Sequence, residues 1–556
     1  MFLGIDVGGT HTDAVILEEI GPGLARPAAQ AKAQTGERAI ESLSAVLASL
    51  LKGCNPASVK RLTVSTTLGL NSVLTGTADP VGIMATSGPG LDLEPADWGP
   101  LFRLLGGRQD HRGQVVEPLD PSQARAAAEE LWGLKAAALV VASKFGPKNP
   151  QLENEMYAQA VAASSQLAGR QVMAASSLFG RLNFPRRLGG AVLNAAVKRL
   201  YDAFLDDLSQ AVAACGLKCP VHVLKADGGV METEAAREKP VLALAAGPAA
   251  SLLGLWALSG DDSDHDVLMV DMGGTSTDLA LFSCGRPLMT PGGLTLAGRP
   301  TLVRGLLTHS LALGGDTDLE MIDGQIVPQP RRRGPALALA PEGLGRRPPT
   351  LTDALNVLGF CRLGEVEVSE KAFDALIPGQ AKQMAEQAVA AVLKLLRQAV
   401  DKFVKQINDQ PVYTISDYLV DWKLEPARVV FLGGPAETLA PLAEKALGLP
   451  ASAPNGAATA NALGAALAKP TSEAELYADT ALGVLSAPTL GCRRSIGFSY
   501  TVDEAKRELL SLMGGGGDLR ITAEESFSQL SDAGRSGKVI RVAAQSAPGL
   551  VASLSS

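Results

Sequence analysis

The sequence predicts an α/β protein made of two similar halves that face each other, followed by a C-terminal appendage. The main observation is an eight-residue motif, D-x-G-G-T-x-T-D, which occurs twice, at residues 6–13 and 271–278. Each copy directly follows a short apolar run with the length of a strand. A third glycine pair, Gly433-Gly434, follows another such run. A strand-and-turn unit that recurs far along the chain indicates internal duplication.

The chain has 556 residues, too many for one compact core, so we expect at least two domains. Residues 1–185 are predicted to form the first half, and residues 186–470 the second half, which also carries the third glycine pair. Beyond residue 470 the periodic signals weaken. Residues 471–556 are therefore treated as an appendage whose fold the sequence does not indicate.

The motif has the composition of a phosphate-binding turn. Glycines tolerate unusual backbone angles and leave room for a ligand, and their N–H groups can hold phosphate oxygens. Threonine and serine hydroxyls add hydrogen-bond donors, and an aspartate can hold Mg²⁺ or one of its water ligands beside the phosphates. Two ordinary hairpin turns are the alternative interpretation, which a second matched copy disfavours.

The remaining periodic segments predict helices and strands. Apolar residues at helical spacing predict helices near 37–52 and 380–408, and residues 429–432 predict a strand. Segments 189–200 and 456–468 are rich in small residues, which permit close helix packing. We therefore expect these two helices to cross between the halves.

The composition is typical of a soluble globular protein, with 46% hydrophobic and 19% charged residues. A net charge of −8 without a long basic run disfavours nucleic acid or an anionic membrane as the main partner. Six scattered cysteines form no disulfide pattern, which favours a reducing cytoplasm. Asp6 interrupts the first apolar run, so we expect no signal peptide, and no apolar stretch has the length of a membrane span.

Three common catalytic motifs are absent from the sequence. There is no G-x-S-x-G elbow after a strand, no H-E-x-x-H and no G-x-x-x-x-G-K-[ST]. Their absence argues against the common serine hydrolases, the zinc proteases and the P-loop nucleotide hydrolases.

The motifs, taken in order over roughly residues 1–465, resemble the hydantoinase A / 5-oxoprolinase family, which includes acetone carboxylase subunits. The phrases that carry the resemblance lie at 6–13, 65–74, 227–229, 235–240, 247–250, 271–278, 309–317 and 350–354. This family belongs to the acetate and sugar kinase, heat-shock ATPase and actin superfamily. The resemblance therefore implies duplicated actin-like ATPase (ribonuclease H-like) halves facing a central nucleotide cleft.

The chain also departs from the family's pattern. His11 stands where the family has an aromatic residue, and Asp316 stands where it has a third glycine. The segment 333–338 lacks the family's Cys-Tyr, and Val64 stands near the place of a histidine. The resemblance to the family therefore supports nucleotide binding by this chain more strongly than it supports any particular substrate.

The resemblance implies an ATP-dependent hydrolase, or a carboxylase component, that activates a cyclic amide or ketone by phosphoryl transfer. A hydantoin or a 5-oxoproline-like lactam is the expected kind of substrate, and ATP and Mg²⁺ are the expected cofactors. A small-molecule kinase of the same superfamily and a non-enzymatic nucleotide sensor are the alternatives. A separate B-type partner subunit is expected because only an A-type half is visible, and a homodimer stays open.

The resemblance also implies roles for the motif residues. Phosphate binding is expected at Gly8, Gly9, Thr10, Thr12, Gly273, Gly274, Thr275 and Thr277, and adenosine binding at Gly433 and Gly434. Candidates for holding Mg²⁺ or orienting a water are Asp6, Asp271 and Asp278, which together with His309 form the candidate catalytic set. A lone histidine is more often structural than catalytic, so both interpretations of His309 stay open.

Overall fold

A computed structural model describes residues 1–9, 11–36, 38–90, 93–164, 171–260, 264–409, 423–515, 518–530 and 536–555. Within these ranges, two large sheets are each built around one copy of the repeated motif. Among the helices in these ranges, none combines the length and the apolar character that a bilayer crossing requires.

The first sheet is organised around the antiparallel strands Phe2–Val7 and His11–Gly21, here called the first hairpin. Its first strand also pairs in parallel with Arg61–Thr66, which in turn pairs in parallel with Val221–Leu224. The spatial order of the seven strands is Val230–Glu232, Val221–Leu224, Arg61–Thr66, Phe2–Val7, His11–Gly21, Leu24–Gln34 and Ser553–Leu554. The carboxyl ends of the three parallel strands therefore meet at the edge where the hairpin turns.

The second sheet repeats this arrangement around the strands Asp266–Met272 and Thr277–Ser283, here called the second hairpin. Its first strand pairs in parallel with Pro426–Leu432, as the first hairpin does with its own parallel neighbour. The spatial order is Ala451–Ser452, Pro426–Leu432, Asp266–Met272, Thr277–Ser283 and Arg286–Pro287, with Thr308–Leu311 also paired to Thr277–Ser283. Both sheets place antiparallel strands on one side of the hairpin and parallel strands on the other, so the predicted duplicated α/β fold is confirmed.

Two further sheets lie outside these repeats. A four-stranded parallel sheet has the order Gln171–Ala174, Ala138–Ser143, Val81–Thr86 and Phe102–Leu105. An antiparallel C-terminal sheet has the order Cys492–Ser495, Val484–Ala487, Glu473–Asp479, Ser536–Ser546 and Leu519–Leu530. The first sheet takes strands from both sides of residue 185, and the division into 1–185, 186–470 and 471–556 stays a prediction.

The other elements are helices and short strand pairs. The α-helices are Ala39–Leu50, Leu68–Leu74, Pro95–Trp98, Pro121–Gly133, Gln151–Ala163, Ala175–Leu178, Phe184–Ala214, Thr233–Glu238, Ala246–Ser259, Leu351–Val357, Val366–Asp374, Ala381–Asn408, Ala436–Leu447, Ala460–Leu467 and Val502–Leu512. The 3₁₀ turns are Pro56–Ser58, Pro240–Ala243, Leu337–Leu339, Pro341–Gly343, Ala457–Thr459 and Pro488–Leu490. The short strand pairs are Arg108–Gln109 with Val115–Glu117, Thr295–Leu296 with Arg299–Pro300, and Leu319–Ile322 with Gln325–Pro328.

Each hairpin sheet has a hydrophobic core of its own. Ile5 of the first hairpin packs in one core with Leu43 of helix Ala39–Leu50. Val270 of the second hairpin packs in the other core with Leu396 of helix Ala381–Asn408. Both helices bury a face with the apolar spacing that predicted them, so the helices expected near 37–52 and 380–408 are confirmed.

Helices Ala246–Ser259 and Ala460–Leu467 cross in backbone contact between the two sheets. A Cβ added at Gly254 or at Gly464 would lie 2.0 Å from a backbone oxygen of the other helix. A Cβ at Gly4 of the first hairpin would lie 2.0 Å from a backbone oxygen of Ala460–Leu467. Glycine is therefore required at these three close approaches, and the crossing fixes where the second helix stands above the first hairpin.

The expectation that segment 189–200 is one of the crossing helices is wrong. That segment belongs to helix Phe184–Ala214, where Gly189 faces the backbone of Pro300 and Gly190 faces the ring of Phe179. Small residues permit a close approach without specifying which element approaches, and here the partner of Ala460–Leu467 is Ala246–Ser259.

Candidate functional site

The two hairpins turn in the same way. In the first, the Gly8 N–H donates to the carbonyl oxygen of His11 at 3.0 Å, and Asp6 pairs with Asp13 across the strands. In the second, the Gly273 N–H donates to the carbonyl oxygen of Ser276 at 2.9 Å, and Asp271 pairs with Asp278. The repeated sequence therefore produces the same turn with the same strand register in both halves.

The first aspartates of the two motifs are connected through the crossing helices. The Asn461 amide donates to Oδ2 of Asp6 at 3.2 Å. The hydroxyl oxygen of Ser251 lies 2.7 Å from Oδ1 of Asn461 and 2.5 Å from Oδ2 of Asp271. A continuous polar chain therefore joins the two hairpins.

Burial makes these carboxylates unusually reluctant to ionise. It raises the pKa of Asp6, against a hydrogen bond from Asn461, and the charges of Asp13 and Asp271 add to the increase. Burial also raises the pKa of Asp271 to about 6, against the Ser251 hydrogen bond and with help from the charge of Asp278. A divalent cation placed among these groups would offset the cost of their charges.

Asp278, the last aspartate of the second motif, lies on the same side of the second hairpin as Asp271. It pairs in register with Ser310 of the strand Thr308–Leu311, whose hydroxyl donates to Oδ1 of Asp278. Burial raises the pKa of Asp278, and that hydrogen bond opposes the increase. In the first hairpin the corresponding Asp13 instead forms an ion pair with Lys32 at 3.0 Å. The two halves therefore differ here, and Asp278 keeps a carboxylate free of cationic partners in the described residues.

The carboxylates described above suit a magnesium ion whose remaining ligands are not protein side chains. Oδ1 of Asp6 is buried and has no hydrogen-bond partner among the described residues. In the same part of the chain, no three acidic, histidine or cysteine side chains are close enough to hold a metal ion by themselves. Mg²⁺ commonly takes one or two carboxylates and completes its shell with waters and phosphate oxygens. The residues present therefore suit a metal that arrives with a phosphate ligand.

The tips of both hairpins are open. Gly9, Gly274 and Thr275 are exposed, and Gly8 and Gly273 are half-buried. Thr10 lies outside the described residues. The backbone at both tips is therefore open to solvent, and phosphate binding there stays a prediction.

The second threonine of each motif points away from the cleft. Thr12 is fully buried, and its hydroxyl donates to Ser42 at 2.9 Å. Thr277 is also fully buried, and its hydroxyl donates to the carbonyl oxygen of Leu313 at 2.6 Å. These two hydroxyls stabilise the turns from behind and do not face a phosphate, because neighbouring strand residues point to opposite faces of a sheet.

A loop at Gly314, Gly315 and Asp316 packs against the second hairpin. The N–H groups of Gly315 and Asp316 donate to the carbonyl oxygens of Gly273 and Gly274 at 2.9 and 2.7 Å. The carboxylate of Asp316 pairs with Arg332 at 2.7 Å. The sequence marks Asp316 as a departure from the family's pattern but does not indicate this partner, because the arginine run at 331–333 is typical of a solvated loop.

The third glycine pair abuts the second hairpin. Gly433 has a φ of +90°, and a Cβ there would lie 2.2 Å from the carbonyl oxygen of Met272 and 3.0 Å from Oδ1 of Asp271. Gly434 has no neighbour within 4 Å of such a Cβ. The absence of a side chain at Gly433 therefore permits its close contact with the second hairpin, and the space beside Gly434 is open.

His309 lies apart from the aspartates. It pairs in register with the buried Leu279, so its ring is on the opposite face of the strand from Ser310. The ring stacks on Phe403 with 5.6 Å between centroids. Burial lowers the pKa of His309, and the charge of Lys402 adds to this. The geometry supports the structural interpretation of this histidine, and its catalytic role stays a prediction.

Two family descriptions match the chain. The Hydantoinase/oxoprolinase N-terminal region matches residues 2–161, and Hydantoinase/oxoprolinase matches residues 187–474, which is more than half of the 556 residues. This chain belongs to the hydantoinase/oxoprolinase family.

Two curated proteins resemble this hydantoinase/oxoprolinase family member in sequence. Caprolactamase subunit alpha of Pseudomonas jessenii is 25% identical over 450 residues, covering 75% of this chain and 64% of the relative. An uncharacterised protein of Methanocaldococcus jannaschii is 25% identical over 313 residues, covering 53% of this chain and 44% of the relative. The chain thus spans less than two thirds of the length of these curated relatives.

Two solved structures resemble it in fold. The nucleotide-free acetone carboxylase has a TM-score of 0.67 at 18% identity, and the ATP-dependent caprolactamase from Pseudomonas jessenii has a TM-score of 0.69 at 20% identity. Both comparisons cover 98% of this chain and 87% of the other. The similarity in fold therefore covers nearly the whole chain of this hydantoinase/oxoprolinase family member.

One family phrase has a clear structural role in this member of the family. Asp353 of the T-L-T-D-A phrase accepts hydrogen bonds at 3.0 Å from the N–H groups of Leu337 and Ala338. Those two residues lie in the segment that lacks the family's Cys-Tyr, so the loop keeps its anchor without those side chains. Thr352 of the same phrase donates to the carbonyl oxygen of Gly315 at 2.8 Å, which holds the loop that packs on the second hairpin.

Proposed function

We propose that this chain is the ATP-dependent component of an enzyme that opens a cyclic amide, with phosphoryl transfer to the amide oxygen as the activating step. The observation that carries the proposal is the polar chain from Asp6 through Asn461 and Ser251 to Asp271, which links the two motif turns. Family membership and the likeness to a caprolactamase subunit alpha support a cyclic amide as the substrate class.

The nucleotide would lie between the hairpin tips. The backbone N–H groups of Gly9 and Gly274 would hold phosphate oxygens, since those of Gly8 and Gly273 already donate within their own turns, and the open surface at Gly434 would receive the adenosine. Asp6 and Asp271 would hold a bound Mg²⁺, either directly or through waters, with Asp278 beside them. When bound, the metal would neutralise charge on the phosphates.

The proposed reaction follows from the weakness of an amide carbonyl as an electrophile. Transfer of the γ-phosphoryl group to the carbonyl oxygen breaks the bond to ADP and leaves an imidate-like phosphate. Water then attacks the carbon, the ring C–N bond breaks with the nitrogen taking up a proton, and an acyl phosphate is left. A second water hydrolyses the acyl phosphate to give the amino acid and inorganic phosphate. Such transfer depends mainly on positioning and charge stabilisation, and closure of two halves around the ligands would exclude bulk water.

A separate B-type subunit is part of the proposal. The curated relative is itself a subunit alpha, and this chain spans 64% of that relative's length. We also propose a cytoplasmic location, because the six cysteines are free in the structure. A homodimer stays a prediction.

The test is a phosphate-release screen with Mg·ATP and a panel of lactams, hydantoins and ketones, run with and without a co-purified partner. Ring opening coupled to phosphate release supports the proposal. A stable phosphorylated product would indicate a kinase instead, and nucleotide binding without turnover on the panel would indicate a sensor. Asp271→Asn should abolish turnover, whereas Asp401→Asn, at an exposed helix position paired with Arg397, should not.

A further inference from the structure

A second cavity, of about 510 Å³, lies between the first sheet and the C-terminal sheet. Its lining includes Asp227 and Lys239, from two family phrases that the nucleotide cleft does not use, and Glu473 from the C-terminal sheet. None of the lining residues belongs to either hairpin. Asp227 follows the strand Val221–Leu224, which stands two strands from the first hairpin, roughly 10 Å at the usual strand spacing. The cavity therefore adjoins the cleft edge without being part of the turns.

Some of the charges around this cavity neutralise one another. Asp227 accepts from the Gly229 N–H at 2.9 Å and from the Thr471 hydroxyl at 2.8 Å, and it faces Lys225 at 3.5 Å and Arg304 at 3.3 Å. Its carboxylate is thus fully satisfied within the protein.

The buried Glu475 is satisfied in the same way. It accepts from the Tyr477 hydroxyl at 2.6 Å and forms ion pairs with Arg181 at 3.0 Å and Arg541 at 3.1 Å. These groups form part of the cavity wall, and the charge of Glu475 is already neutralised by its two arginine partners.

Lys239 and Glu473 differ from Asp227 and Glu475 in their contacts. In the described ranges, neither side chain has a hydrogen bond or an ion pair within 4.0 Å, although both line the cavity. Burial lowers the pKa of Lys239, and the charges of Glu238 and then Glu473 oppose this. Burial raises the pKa of Glu473, and the charge of Arg304 opposes this. One ammonium and one carboxylate thus line the same cavity without touching each other.

Part of the wall is apolar. Phe179, Met231, Leu242 and Leu302 line the cavity beside the two charged groups. A plain anion would leave the exposed Glu473 unpaired, and a plain cation would leave the half-buried Lys239 unpaired. A ligand that carries both charges and a short hydrocarbon chain can contact Lys239, Glu473 and the apolar side chains at the same time.

We propose that this cavity binds a small amino acid as a zwitterion, with the ligand carboxylate at Lys239, the ligand ammonium at Glu473 and the methylene chain along the apolar wall. The proposal does not depend on the ATP chemistry, although ring opening of a lactam would release such an amino acid. Because the site is outside the hairpins, its occupancy can be measured without nucleotide.

The test is isothermal titration calorimetry on the full chain, without Mg²⁺ or nucleotide and at low salt. The ligands are glycine, γ-aminobutanoate and ε-aminohexanoate, with butanoate and butylamine as single-charge probes. We expect saturable binding of at least one amino acid, and at least about tenfold weaker binding of both single-charge probes, since each loses one charge-assisted contact. Absence of binding for every amino acid, or butanoate binding as tightly as the best amino acid, would overturn the proposal.

Two variants and two controls assign the contacts. Glu473→Gln and Lys239→Gln should each weaken amino acid binding about tenfold or more. Glu234→Gln, on the exposed face of the helix before Lys239, and Lys218→Gln, at another exposed position, should leave binding unchanged. Unchanged affinity in both cavity variants would refute the assignment, and thermal melts report whether they fold. Asp271→Asn should retain amino acid binding, so failure of the proposed ATP chemistry and failure of this site give different results.

Discussion

Asp6 and Asp271, the first residues of the two motif copies, are joined through one asparagine and one serine. Asn461 donates to Asp6, and Ser251 lies within hydrogen-bonding distance of both Asn461 and Asp271. The asparagine and the serine come from two helices that cross in backbone contact because glycines face each other there. The relative position of the two turns is therefore set by a polar chain within a tight helix crossing.

Asn461→Ala should uncouple the two hairpins. Asp6 would lose a donor while remaining buried, so we expect the free energy of unfolding to fall by about 1–3 kcal/mol and ATP turnover to fall more than about tenfold. Urea unfolding and phosphate release measure the two effects. Ser251→Ala breaks the same chain at its other end, and the double variant should cost less than the sum of the single variants. Strict additivity would show that the chain does not act as a unit.

Asp271→Asn should make the free protein more stable and inactive. The folded state holds the Asp271 proton up to a pKa of about 6, against an ordinary value of 3.8, so its contribution to stability is present at low pH and is lost as the pH rises through about 6. Above that pH the wild-type protein carries a buried charge that asparagine removes, which should stabilise the variant by about 1–3 kcal/mol.

Urea unfolding at several pH values, without Mg²⁺ or nucleotide, measures this difference. The gap between variant and wild type should shrink as the pH falls from 6 toward 3.8. A variant that is no more stable than wild type above pH 6 would contradict the expected charge cost at Asp271.

Gly433 and Gly434 provide a matched pair of substitutions. Alanine at Gly433 would place a Cβ 2.2 Å from the Met272 carbonyl oxygen at a φ of +90°, so we expect a clear loss of stability. Alanine at Gly434 meets no atom within 4 Å, so stability should be unchanged. If adenosine lies on that surface, Gly434→Ala should raise the KM for ATP with little effect on the melting temperature. An unchanged KM would remove Gly434 from the adenosine site.

The hairpins and the duplication could be predicted because they are local. A strand, a glycine turn and a return strand lie within one short segment, and the identical spacing in both copies fixes the same register, with Asp6 opposite Asp13 and Asp271 opposite Asp278. Strand alternation could also have shown that Thr12 points away from its neighbour Asp13. That signal was present in the sequence, but interpreting every hydroxyl in the motif as a donor overlooked it.

Long-range contacts were less accessible from the sequence. Ser251 directly follows the family phrase at 247–250, and Asn461 lies in the small-residue segment 456–468, but neither pattern indicates a contact with the aspartates, which only the helix crossing produces. The C-terminal sheet pairs Glu473–Asp479 with Ser536–Ser546, and such distant pairing is not encoded in any local period. The pairing of Arg332 with Asp316 depends on a loop path that a basic run does not specify.

His309 and Ser310 are neighbours on one strand whose side chains point to opposite faces, so they separate a structural role from a catalytic one. His309→Ala removes the stack on Phe403 and should lower stability by about 0.5–1.5 kcal/mol, with kcat nearly unchanged. Ser310→Ala removes a donor to Asp278, raises the pKa of that carboxyl further, and should shift the pH profile of turnover to higher pH with little change in stability. Thermal melts and pH–rate profiles on both variants measure these effects. A large fall in kcat for His309→Ala, with the protein still folded, would establish the catalytic role that the position of the ring argues against.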